Sequence, residues 1–130
     1  MLWQNSGAEM TNLTALANMA DYAPRMRSQL EQNWWNFGHI YINELSGDQV
    51  SVTLYEPMSF KLPGGSYTPD FLHITEKGQM YFVEIKGSKR QKGYRDARSK
   101  LRAAAELHPW FTFLEVRQEN GDWTVERIKA

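Results

Sequence analysis

Asp70, Glu84 and Lys86, two acids and an amine, are the side chains of this sequence suited to holding a cation and stabilising charge. They lie in two apolar runs, Tyr67-Thr68-Pro69-Asp70-Phe71-Leu72-His73-Ile74 and Met80-Tyr81-Phe82-Val83-Glu84-Ile85-Lys86-Gly87, around the polar break Thr75-Glu76-Lys77-Gly78-Gln79. Two such runs around a break with a glycine predict a β-hairpin. A three-residue loop, Glu76-Lys77-Gly78, with glycine in the left-handed region, sets Thr75 opposite Gln79 and Asp70 opposite Glu84. Opposed residues of an antiparallel pair have β-carbons about 4.5–5.5 Å apart. That is close enough for two carboxylates to hold one hard cation through oxygen. Lys86, two residues beyond Glu84, projects from the same face.

The placement is costly, and the cost is informative. Tyr81-Phe82-Val83 and Ile85 make the second strand nearly continuous in apolar character, as in a strand covered on both faces. A carboxylate left there needs a partner, and a metal ion suits two carboxylates together. The plain alternative is a solvated hairpin carrying ordinary surface charges.

Pro69-Asp70, thirteen intervening residues and then Glu84-Ile85-Lys86 resemble the PD-(D/E)xK signature of the restriction-endonuclease-like nuclease superfamily. With Arg27-Ser28-x-x-Glu31, Tyr55-Glu56-Pro57, Tyr67-x-Pro69-Asp70-Phe71 and Val83-Glu84-Ile85-Lys86-Gly87, the chain resembles small phage-type endonucleases related to Holliday-junction resolvases. The resemblance implies an α/β fold with an αβββαβ core, its central mixed sheet flanked by helices. It implies cleavage of DNA, branched or junction DNA in phage replication or recombination included, in the cytoplasm of a bacterial host cell. It assigns Mg²⁺ or Mn²⁺ to Asp70, Glu84 and the carbonyl of Ile85, with Glu31 reaching the metal site from the first helix. Lys86 would orient or deprotonate the attacking water and stabilise developing negative charge. Glu31 also has a local reading, an exposed ion pair with Arg27 at i, i+4, worth a few tenths of a kcal/mol.

Periodicity predicts the helices and strands that carry these groups. Leu13, Leu16, Ala17 and Ala20 recur at helical spacing in residues 1–20, which read as an arm or short helix, or as a contact with a second subunit. A single nuclease-like domain is expected over 21–130. Asp21 as N-cap and Pro24 in the first turn predict a helix with the stripe Tyr22, Met26, Leu30, Trp34 and Phe37, stopped at Gly38. Trp34-Trp35 reads as core plus a helix-flanking contact rather than a base-stacking platform. After His39 to Asn43 and the turn Ser46-Gly47-Asp48, Val50, Val52 and Leu54 alternate as a half-buried strand. Met58 to Leu62 is extended, and Pro63-Gly64-Gly65 is a flexible bend. Beyond Gly87, a polar loop leads to a helix from Tyr94 to His108, stopped by Pro109 and packed through Ala97, Leu101, Ala104 and Ala105. Trp110 to Val116 reads as a central strand and Trp123 to Ile128 as an edge strand after the turn Glu119-Asn120-Gly121-Asp122.

A chain of 130 residues, 42% apolar and 23% charged, suits one folded domain. It has no cysteine, which removes disulfides and thiolate chemistry and leaves a metal to oxygen or histidine ligands. Met1-Leu2-Trp3-Gln4-Asn5 is not a basic stretch leading into an apolar run, so no secretory leader is expected, and no membrane span either. His39, His73 and His108 show no ligand spacing and read as structural or surface residues. The formal net charge is zero, yet eight of the fifteen basic residues fall between Lys86 and Arg102 against one acid, Asp96. Lys89, Arg90, Lys92, Tyr94, Arg95, Arg98 and Arg102 are therefore the candidates for gripping a phosphate backbone. DNA is the expected partner, with RNA open as a substrate and a homodimer implied by junction-resolving relatives. The alternative is a catalytically inactive nuclease-like module that binds nucleic acid or a protein partner.

Overall fold

The structure, a computed structural model, describes residues 25–87 and 94–129. The arm or short helix at 1–20, the cap at Asp21 with Pro24, and Lys89, Arg90 and Lys92 lie outside them.

Helix α1 spans Gln29–Ser46, and its ends are set by local chemistry. Ser28 is the N-cap: its Oγ accepts from the Glu31 amide at 3.1 Å, and Glu31 Oε1 accepts the Arg27 amide at 3.0 Å. This is a capping box displaced by one residue. Gly47, at φ +70°, closes the other end by donating to the Asn43 carbonyl. The helix thus runs straight through Gly38, the expected stop. Gly38 is there for packing: a β-carbon would collide with Cε2 and Cδ2 of the Trp34 indole, which covers that position. The buried stripe is Glu31, Trp34, Gly38 and Ile42, while Phe37, expected in it, is 58% exposed. Three residues turn a helix by about 300°, so Phe37 and Trp34 both face the core only if the stripe is wide.

Among the described residues seven strands follow: β1 (Val50–Tyr55), β2 (Phe60–Leu62), β3 (Gly65–Tyr67), β4 (Phe71–Thr75), β5 (Met80–Lys86), β6 (Thr112–Glu119) and β7 (Asp122–Arg127), with helix α2 (Tyr94–Leu107) between β5 and β6. The main sheet has the order β1-β4-β5-β6-β7 and is mixed: β5 and β6 run parallel, joined through α2, and the other neighbours are antiparallel. The fold is α/β, with two helices on a five-stranded sheet among the described residues. In the β4–β5 hairpin Ile74 pairs with Met80 and Phe71 with Val83, and Gly78 takes φ +85°, as the loop reading predicts. Asn120 and Gly121, at φ +53° and +84°, give β6–β7 a two-residue turn of the type that suits strand twist. The expected bend at Pro63 is a tight turn with Gly64 at φ +82°, which folds β2 and β3 into a separate two-stranded sheet.

Strand alternation sends two cores to opposite faces of the sheet. Trp34 and Ile42 of α1 pack with Phe71, Val83, Leu114 and Val116. Leu101, Ala104 and Ala105 of α2 pack with Leu72, Phe82 and Phe113. On the α1 side His73 is buried, its Nε2 accepting from the Trp34 indole at 2.9 Å. The neutral ring therefore carries its proton on Nδ1, which donates to Thr53 Oγ1 at 2.9 Å. Burial, with the charge of His39 second, pushes His73 down to about 3.

Candidate active site

Three stretches, 27–31, 55–56 and 67–70, converge on the end of β5. Asp70 immediately precedes β4, so continuing the hairpin register sets it opposite Glu84. Its Oδ2 accepts the Ile85 amide at 2.8 Å and its Oδ1 lies 3.5 Å from Arg27 Nη2. Glu84 Oε1 accepts from the Tyr67 hydroxyl at 3.0 Å, and Oε2 lies 3.1 Å from Lys86 Nζ. Of Ile85, then, it is the amide that is fixed against an acid. Asp70, Glu84 and Lys86 are brought together at this strand end.

The electrostatics follow from burial. Asp70 is raised from 3.8 to about 7, first by desolvation and then by the charge of Glu84, with the Ile85 amide pulling the other way. Glu84 is raised too, by desolvation first, against the lowering effects of Lys86 and Tyr67. A carboxylate whose charge is made costly by burial and by a neighbouring acid favours a bound proton or a cation.

Glu31 is 6% exposed, where its sequence position implies only the border of a stripe. Tyr55 donates to its Oε1 at 3.3 Å, and Arg27 Nη2 lies 3.7 Å from its Oε2. The same Arg27 nitrogen is 2.8 Å from Glu56 Oε2. One guanidinium thus faces Glu31, Glu56 and Asp70, so Glu31 is both an ion-pair partner of Arg27 and, through it, a neighbour of Asp70. Glu56 has φ +46°, uncommon outside glycine and costing of order 1–3 kcal/mol, and its amide donates to the Asp70 carbonyl at 2.8 Å.

The acidic row continues across the sheet: Glu115 pairs with Glu84 in the parallel register, and Glu126 with Glu115. Glu115 is fully buried, and Arg98 Nη1 lies 2.7 Å from it while Nη2 reaches Glu126 at 2.5 Å. Arg117, also buried, holds the other Glu115 oxygen at 2.5 Å. This corrects the expectation that Arg98 grips phosphate. It precedes Leu101 and Ala105 by three and seven residues, which places it on the packing stripe, and its charge is spent on the sheet. Arg102 is exposed, and Arg95 lies in the first turn of α2.

The structure adds Tyr67, Arg27, Tyr55 and Glu56 to the site, residues to which type and spacing alone assign no role. Glu115 is legible by the signal that singles out Glu84, a lone acid inside an apolar run. Tyr67 gives no such signal, because the hairpin that delivers it has the local pattern of a bend.

No family model matches the sequence, and no curated protein does. Among solved structures, one titled "Crystal structure of SSO0001" is similar at 14% identity and a TM-score of 0.38 over 92% of this chain. The chain spans 59% of that chain's length, and the likeness carries no argument about fold or function. Among the described residues no helix is long and apolar enough to cross a membrane.

Proposed function

We propose that the chain is a metal-dependent endonuclease of the PD-(D/E)xK, restriction-endonuclease-like kind, hydrolysing DNA phosphodiester bonds. The observation that carries this reading is the meeting of a buried carboxylate, Asp70, with a half-buried one, Glu84, both raised by desolvation, with Lys86 at 3.1 Å from Glu84. Among the described residues no three His, Cys, Asp or Glu side chains form a group that would hold a metal. A pair of acids still fits Mg²⁺, which is commonly bound through one or two carboxylates with water and substrate phosphate completing its shell.

Asp70 and Glu84, with the Ile85 carbonyl, would hold the ion, whose chemistry is to offset phosphate charge and acidify water. Lys86 orients the nucleophile and stabilises the negative charge that develops on phosphorus oxygens. Arg27, 68% exposed at its side chain, keeps Glu31 and Glu56 beside Asp70 and presents a guanidinium face to a phosphate. Arg102 adds affinity without sequence information.

The test is nicking of supercoiled, branched and linear DNA with Mg²⁺ or Mn²⁺. Wild type should cut, and Asp70→Ala, Glu84→Ala and Lys86→Ala should each slow cutting by about 100-fold or more. A wild type that cuts nothing, or variants that cut equally well, refutes the reading. A second reading is favoured by one observation, that Arg27 and Lys86 already neutralise the acids from within the protein. It is a binding module without catalysis, which would take up DNA in calorimetry with no dependence on Mg²⁺ or Mn²⁺.

A further inference from the structure

We infer that Tyr67 is a positioning residue for Glu84: its hydroxyl, delivered by the β2–β3 hairpin, fixes the orientation of the carboxylate where it would meet the ion. The inference rests on the nuclease reading for its metal and stands on its own geometry for the hydrogen bond.

Two strands of three residues are marginal as an isolated hairpin. This one is pinned by Phe60, whose ring sits 4.8–5.5 Å from those of His108, Phe82 and Phe113. Tyr67 is directly opposite Phe60 and 5% exposed. Seating Phe60 under α2 therefore places the phenol over Glu84, 3.0 Å from Oε1, while Lys86 takes Oε2.

The two donors differ in kind. Tyr67 meets Glu84 through a neutral hydroxyl that donates to the carboxylate oxygen. Lys86 holds Glu84 with a positive charge that repels a divalent cation, whereas Tyr67 holds it with none. The neutral donor is thus the one that can remain in place when the ion binds. Outer partners of metal ligands act in this way, and their loss typically costs about 10–100-fold in metal affinity or activity.

The experiment uses the full chain as wild type, Tyr67→Phe, Glu84→Ala and the double variant. Mn²⁺ affinity is read by calorimetry without DNA, nicking at saturating Mn²⁺, and urea unfolding across all four proteins. Tyr67→Phe should weaken Mn²⁺ about 10–100-fold and slow nicking. The unfolding cycle should show coupling between positions 67 and 84 of about tenfold or more in the equilibrium constant. Absent coupling overturns the inference, because the hydrogen bond is then not made. Coupling with unchanged Mn²⁺ affinity and nicking also overturns it, leaving an interaction that only stabilises the fold. A wild type that neither binds Mn²⁺ nor cuts overturns the nuclease reading and the metal part of the inference. In that case the cycle still decides whether Tyr67 holds Glu84.

Discussion

Replacing Asp70 by Asn should make the protein more stable while abolishing its proposed activity, and the gain should depend on pH. Folding raises this carboxyl from 3.8 to about 7, so the folded state binds the proton more tightly than the unfolded chain does. The sign follows from linkage: stability is greatest below pH 4 and falls as pH rises through the window from 3.8 to about 7. At roughly 1.4 kcal/mol per pH unit, the ionised carboxylate costs the fold up to about 4 kcal/mol above pH 7. Asn still accepts the Ile85 amide through its oxygen, and the attraction of Arg27 for the carboxylate is already contained in that figure. A gain of up to about 4 kcal/mol at pH 8, shrinking to near zero at pH 4, is expected. Urea unfolding of wild type and Asp70→Asn at both pH values measures it. A variant no more stable than wild type at pH 8, or a gain of equal size at pH 4, refutes the burial argument for Asp70.

Gly38→Ala should destabilise despite alanine's better helix propensity. Overpacking against the indole costs about 1–3 kcal/mol and disturbing the Trp34–His73 hydrogen bond about 1 more, against a propensity gain of about 1, so urea unfolding should show a net loss of about 1–3 kcal/mol. Arg98→Ala should cost about 3–5 kcal/mol, because it takes one cation from the buried Glu115, and should leave the salt dependence of DNA binding unchanged. Arg102→Ala should do the opposite, leaving stability within about 0.5 kcal/mol and lowering the salt slope by about 1 if the exposed arginine meets a phosphate.

What can be read from the sequence is local. The β4–β5 register is legible because a short loop with glycine at its left-handed position and the period-2 pattern on either side specify it jointly. The start of α1 misleads: Asp21 reads as the cap and Pro24 as the first turn, whereas the helix begins at Gln29, capped by Ser28, with residues 25–28 outside it. Gly38 misleads because a glycine in a helical pattern reads as a stop, and only the fold brings an indole over it. Arg98 misleads for the same kind of reason: helical spacing gives a face, but its partners Glu115 and Glu126 come from β6 and β7. The hydrogen bond between Tyr67 and Glu84 spans 17 residues and depends on a hairpin seated by Phe60, which no local pattern announces.

The turn at Glu76-Lys77-Gly78 closes the end of β4 and β5 away from Asp70 and Glu84. At about 3.3 Å per strand residue, its tip is roughly 20 Å from those carboxylates. The chain has no cysteine, so a thiol introduced at the exposed Lys77 would be unique in it. A fluorophore attached there would test whether the protein meets a nucleic acid, without touching the acids at the far end.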